Sequence, residues 1–147
     1  MGDLSPHFSK AELACRCCSR LKMDRLLEGL EALRKVAAVP IVIHAGYRCP
    51  AHNQDVGGIP NSEHTRGLAA DIHIPGLSLQ QMYDLASKVP QFAQGGIGAY
   101  DSNFLHVDVG DHQACWARVS GKYVRIQELV REPTLIASRA TEAQEPA

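Results

Sequence analysis

No stretch of this chain approaches the roughly 18 consecutive apolar residues of a membrane-spanning helix. The opening Met1-Gly-Asp-Leu-Ser-Pro-His-Phe-Ser has neither the basic flank nor the apolar run of a secretion signal. An excess of one charge is also missing: 15 Lys and Arg against 16 Asp and Glu leave a net charge of −1, so neither nucleic acid nor an anionic membrane is expected as a partner. The cysteines are five, an odd number that excludes complete pairing within the chain. Cys15-Arg-Cys17-Cys18 lacks the gap of the Cys-x-x-Cys knuckle, so the cysteines read as thiols, with a second metal as the minor reading. Unpaired thiols favour a reducing compartment during folding. Gly95-Gly-Ile-Gly98 is followed by neither a Lys-Ser/Thr pair nor a helical pattern, which argues against a phosphate cradle and leaves a glycine-rich lead-in to a strand.

What is present fits an α+β domain. At 147 residues the chain can bury a real core. Residues 1–132 read as a single domain, and 133–147, rich in Ala, Glu, Gln and Pro, as a disordered tail. Ser9 and Glu12 have capping-box spacing for a short helix. From Asp24 to Val36 the apolar residues Leu26, Leu27, Leu30, Leu33 and Val36 fall at helical spacing, and Ser78 to Val89 repeats the pattern. Ile41-Val-Ile-His-Ala45 is β-branched and is expected as a central strand. Trp116 and Val119 would extend the apolar layer, and a short helix is expected over Ile126 to Arg131. The predicted architecture is a small central antiparallel sheet carrying a metal site, with helices packed on it.

Two stretches carry the chemistry: Ser62-Glu-His-Thr-Arg-Gly-Leu-Ala-Ala-Asp71 and Phe104-Leu-His-Val-Asp-Val-Gly110. They offer His64, Asp71 and His106. Two imidazoles and a carboxylate suit Zn²⁺, and three protein ligands leave a fourth position for water, the arrangement of a catalytic site. Gly67 separates a loop bearing His64 from a strand over Leu68 to Ile74. Strand alternation puts Asp71 on one face with Ala69 and His73, and Ala70, Ile72 and Ile74 on the other. The second stretch sorts Phe104, His106 and Asp108 from Leu105, Val107 and Val109 in the same way. A histidine alone is more often an ordinary polar residue than a ligand, but a carboxylate among Ala69, Ala70, Ile72 and Ile74 is costly to bury unless paired or bound to a metal. His73 reads as a rim residue.

Ser62, His64, Gly67, Ala69 and Asp71 match Ser-x-His-x-x-Gly-x-Ala-x-Asp, and with His106-Val-Asp the chain resembles zinc D-Ala-D-Ala carboxypeptidases of the M15 peptidase group. The wider clan includes D,D-dipeptidases, phage endolysins and the hedgehog signalling domain. The likeness runs from about His7 through Gly46-Tyr-Arg-Cys-Pro-Ala-His-Asn53 and Val56-Gly-Gly-Ile-Pro-Asn-Ser62 to about Trp116. It implies a hedgehog/DD-peptidase-like fold and a Zn²⁺-dependent peptidase acting on peptidoglycan stem peptides, with D-Ala-D-Ala carboxypeptidase as the first expectation. A cell-wall endopeptidase, or a non-catalytic zinc-containing cell-wall or phage module, is the alternative. It also implies that Arg48, whose planar fork matches a carboxylate, contacts substrate, with Ser62 in support. His52 and Asn53 are expected to brace the loop. Relatives carry an acid three residues before the last ligand, where this chain has Asn103, so Asp101 is the expected base, with Glu63 and Asp108 as other nearby acids. The chain as given reads as synthesised without its own export signal, so action on a cell wall would need another route out, such as phage-type release, or a signal trimmed from the sequence given. Oligomeric state is not legible.

Overall fold

The computed structural model describes residues 2–23, 25–59 and 62–131. The expected helix start at Asp24, the loop residue Pro60 and the tail from Pro133 lie outside them. Among the described residues, five α-helices run in the order α1 (Lys10–Leu13), α2 (Leu26–Ala37), α3 (Pro50–Asp55), α4 (Leu79–Ser87) and α5 (Pro90–Ala93). The strands are β1 (Val42–Ala45), β2 (Ala69–His73), β3 (Gly96–Tyr100), β4 (Phe104–Asp108), β5 (Ala114–Val119) and β6 (Lys122–Arg125), with 3₁₀ turns at Glu63–Arg66 and Ile126–Glu128. The strands form one sheet in the order β1-β2-β4-β3-β5-β6.

Local chemistry accounts for the helices. The Glu12 carboxylate accepts the Ser9 backbone N–H at 2.8 Å, closing the expected capping box. Ser78 caps α4, with its Oγ accepting the Gln81 N–H at 3.1 Å. In α2 the stripe Leu26, Leu30 and Leu33 is buried, but Val36 is 44% exposed and leaves the core face. Met82, Tyr83, Ala86, Val89 and Phe92 complete the layer against the sheet. Each large apolar side chain buried there contributes roughly 1.5–3 kcal/mol relative to exposure.

The sheet departs from the expected small antiparallel form. It has six strands, and β3 and β5 pair in parallel, Gly98 opposite Trp116. The strand over Val42–Ala45 pairs only with β2 and is an edge, not a central strand. Its β-branched composition reports packing on one face and says nothing of how many neighbours the backbone has. Its outer side is approached by the N-terminal segment, where the Leu13 carbonyl accepts the Tyr47 N–H at 2.8 Å.

Alternation divides the sheet into two faces. Ala70, Ile72, Ile97, Ala99, Leu105, Val107 and Ala117 belong to the buried core against the helices. Pairing register lines up Asp71, His106, Gly98 and Trp116 in one row across β2, β4, β3 and β5 on the opposite face. Trp116 is thus on the site face, not in the apolar layer where the sequence placed it. Ala117 supplies the core contact at that point, and Val119 is only half-buried. The helix expected over Ile126 to Arg131 is a 3₁₀ turn limited to Ile126–Glu128.

Candidate metal centre

His64 is carried by the 3₁₀ turn Glu63–Arg66, which Ser62 caps by accepting the His64 N–H at 3.2 Å and Gly67 closes at φ 74. The chain then enters β2, placing Asp71 directly opposite His106 of β4. His64 Nε2 lies 3.1 Å and His106 Nδ1 3.2 Å from the same oxygen, Asp71 Oδ1. The two rings meet edge to face with centroids 5.2 Å apart. His64 is 2% exposed and His106 7%.

The far nitrogen of each ring is already committed. His64 Nδ1 lies 2.8 Å from the Gly46 carbonyl, which can only accept, so that nitrogen carries the proton and Nε2 presents its lone pair. His106 Nε2 lies 2.8 Å from Asp108 Oδ2, and the same logic leaves Nδ1 as the open donor atom. Asp108 is itself held, its Oδ1 accepting the Gly110 N–H at 3.0 Å. Two imidazole lone pairs and a carboxylate oxygen within 4.8 Å of one another repel unless a proton or a cation lies among them.

The electrostatics reflect that demand. Burial works against a charged His106 ring, but the Asp108 and Asp71 carboxylates outweigh it and hold the imidazolium up to about 9. Burial likewise would raise Asp71, yet the His64 and His106 rings hold its carboxyl well below the usual range. A cation bound among these three atoms would take the place of a proton there. The donor set therefore fits a metal ion.

The centre opens into a cavity of about 640 Å³ whose lining includes Arg48, Ser62, Glu63, Tyr100, Asp108, His112 and Trp116. Arg48 leaves its buried Nε without a hydrogen-bond partner among the described residues. Burial and the nearby Asp71 charge push the Tyr100 phenol up, so it stays a neutral donor. Two glycines make room on the site face. A Cβ on Gly96 would collide with the Asp108 carboxylate, and one on Gly98 with the Trp116 ring. Gly96 and Gly98 thus lie within β3 itself, not in a lead-in to it, and leave room for the carboxylate and indole that lie across the strand.

Of the residues singled out by sequence, the structure brings His64, Asp71 and His106 together and places Arg48 and Ser62 in the cavity wall. Asp101 is elsewhere. It is exposed in the turn between β3 and β4, where its Oδ2 accepts the Ser120 N–H at 2.8 Å, and it does not line the cavity. Asn103 is in the same turn at φ 71, a left-handed conformation that asparagine tolerates better than most residues. Asn53 braces its loop, Nδ2 donating to the Ile59 carbonyl at 2.9 Å. His73 pairs with His44 at 2.6 Å, away from the trio.

His112 and the Gly46 carbonyl were missed. His112 Nε2 is 3.3 Å from Asp108 Oδ1 and its Nδ1 is 3.6 Å from Glu63 Oε2. A lone histidine in a loop has no periodicity to mark it, and a backbone carbonyl has no sequence signature at all.

The Peptidase M15 family model matches residues 6–108, a span that contains all three converging residues. The peptidoglycan L,D-endopeptidase MepK of Escherichia coli (strain K12) is 36% identical over 90 residues, covering 57% of this chain and 46% of that protein. The Shigella flexneri protein of the same name matches to the same extent. The match takes in about half the length of these curated relatives. With the family model covering most of its length, the chain belongs to the Peptidase M15 family.

Proposed function

We propose that this protein is a zinc-dependent peptidase that hydrolyses peptidoglycan stem peptides, cutting within them as an endopeptidase at a bond joining L- and D-centres. One observation carries the metal reading: His64 Nε2, Asp71 Oδ1 and His106 Nδ1 converge at an open cavity while the other ring nitrogens are engaged by Gly46 and Asp108. Two imidazoles and one carboxylate, with a further position open, are the ligands of catalytic zinc. When bound, zinc supplies Lewis acidity toward the scissile carbonyl and activation of water at neutral pH. The likeness to peptidoglycan L,D-endopeptidases supports the substrate class and the internal cut.

The remaining roles fall to the chain's own side chains. Three carboxylates line the cavity: Glu63, Asp71 and Asp108. Asp71 faces both rings, and Asp108 orients His106, which leaves Glu63 to accept a proton from the attacking water. His112 beside it is placed to pass a proton toward the leaving amine. Arg48 is the anchor for a substrate carboxylate, and Ser62 acts through the turn that presents His64. A terminal carboxylate held by Arg48 would favour a carboxypeptidase, which is the second reading.

The deciding experiment is to incubate zinc-loaded protein with purified cross-linked muropeptides and to weigh the products. Cross-linked dimers converted to shorter-stemmed products without release of free alanine support the endopeptidase. Release of single D-alanine supports the carboxypeptidase. Binding without any product over long incubation would make the protein a non-catalytic module.

A further inference from the structure

A second cluster of metal-binding atoms lies outside the cavity. Cys15, Cys17, Cys18 and Cys49 bring four sulfurs within 4.8 Å of one another. Cys17 Sγ is 3.5 Å from Cys15 Sγ and 3.4 Å from Cys49 Sγ, so it faces two sulfurs at once instead of pairing with one. Sulfurs about 2.3 Å from a tetrahedral zinc stand about 3.8 Å apart, close to this spacing. We propose that these four cysteines bind a second zinc ion, a closed structural site that fastens the N-terminal segment to the loop carrying Arg48.

The backbone is shaped for it. Cys15 N–H donates to the Arg20 carbonyl at 2.7 Å and Ser19 N–H to the Cys15 carbonyl at 2.9 Å, with Ser19 at φ 63. That tight turn folds Cys17 and Cys18 back over Cys15 and does the work of the missing two-residue knuckle. Cys49 approaches from the Gly46–Cys49 loop, which the Tyr47 N–H to Leu13 carbonyl bond holds against the N-terminal segment. Two backbone donors point at sulfur: Cys49 N–H at Cys15 Sγ and His52 N–H at Cys49 Sγ, both 3.4 Å. Such N–H contacts offset the negative charge of metal-bound thiolates.

The chemistry selects the ion. Four thiolates in a tetrahedral arrangement take zinc or an iron–sulfur cluster, and four ligands leave no position for substrate. On binding, the thiols release their protons to solvent as the ion takes their place. Cys115, exposed on β5, does not belong to the group. Four of the five cysteines are thereby accounted for, against the sequence reading that set a second metal aside. The consequence reaches the cavity, because Cys49 is bonded directly to Arg48 and the same loop supplies the Gly46 carbonyl that fixes His64.

The test uses the full chain purified under reducing conditions, with metal content measured by mass spectrometry and a parallel preparation loaded with cobalt. The exposed pair is changed together, Cys17→Ser with Cys18→Ser, and Cys115→Ser serves as control. The proposal predicts that the double variant loses about one equivalent of zinc and the control none. It further predicts that His106→Ala keeps one zinc and that its cobalt form shows intense thiolate-to-metal charge-transfer absorption. Because that absorption is read without activity, it stands or falls independently of the peptidase reading. Unchanged metal content in the double variant, bound iron in place of zinc, a Cys17–Cys49 disulfide in the reduced protein, or cobalt spectra without thiolate absorption would overturn it.

Discussion

The molecule contains two clusters of side chains that could each hold a metal ion, built on opposite plans. His64, Asp71 and His106 hang mainly from neighbouring strands, use nitrogen and oxygen, and face a cavity of about 640 Å³. Cys15, Cys17, Cys18 and Cys49 come from loops, use sulfur alone, and supply a complete set of four. A ligand set mounted on a sheet is held by the ladder, so it can leave a position vacant without collapsing. One mounted on loops lacks that support, and the ion itself becomes the cross-link. On the roles proposed for them, the two clusters differ as chemistry differs from fastening, and each can be attacked separately.

The largest effect should come from His106→Ala, which removes one of three ligands. Peptidase activity falls below detection and zinc is lost from the strand-borne centre, while the cysteine cluster keeps its ion. Product analysis together with metal content checks both halves. Loss of both ions would merge the two centres into one cooperative unit.

Glu63→Gln comes next. The substitution keeps the shape and removes the proton acceptor, so kcat should drop by roughly 10²–10⁴-fold with zinc content unchanged. Steady-state kinetics beside metal analysis would separate this from damage to the ligands. Retained activity would return the base to another group.

Asp108→Asn keeps an acceptor near His106 Nε2 but removes the charge and lets the amide turn. A loss of about 10–100-fold in zinc affinity or activity is expected from an orienting partner of this kind. Chelator competition measures it, and the cysteine-bound ion should not respond.

Arg48→Lys sharpens the comparison because Arg48 stands between the two centres. Losing the planar fork should weaken a bidentate carboxylate contact by roughly 1.5–3 kcal/mol, a fall of about ten- to a hundredfold in kcat/KM. The fall should be much smaller for a substrate whose carboxylate is amidated. Equal losses on both would mean that Arg48 supports the loop.

The smallest effect is structural. Gly98→Ala pushes a methyl against the Trp116 ring and should cost about 1–3 kcal/mol of stability. Trp116 is the single tryptophan, so its fluorescence reports the displacement directly.

Much of the site was legible because its carriers are strands with one buried face. Alternation around Asp71 and His106 put both on the same side, and the apolar runs Ala70, Ile72 and Leu105, Val107 fixed which side was core. The helices at Leu26–Ala37 and Leu79–Ser87 announced themselves by their period. What escaped was set by partners distant in the chain. The edge position of Val42–Ala45 and the parallel pairing of Gly98 with Trp116 are properties of topology, and β6 and α5 are too short, four residues each, to leave a periodic trace. Proximity in sequence made Asp101 attractive as a base, but the hairpin turn carries it outward to Ser120. The spacing of Cys15, Cys17 and Cys18 leaves a second metal as the minor reading, because the turn at Ser19 that gathers them with Cys49 depends on hydrogen bonds invisible in a motif.

The most direct test of the strand-borne centre is diffraction from zinc-loaded crystals at the zinc absorption edge. The account predicts an anomalous peak at about 2.0–2.2 Å from His64 Nε2, His106 Nδ1 and an Asp71 carboxylate oxygen, open toward the cavity. No peak among these three residues, or a metal held by His64 Nδ1 or His106 Nε2 in their place, would contradict it.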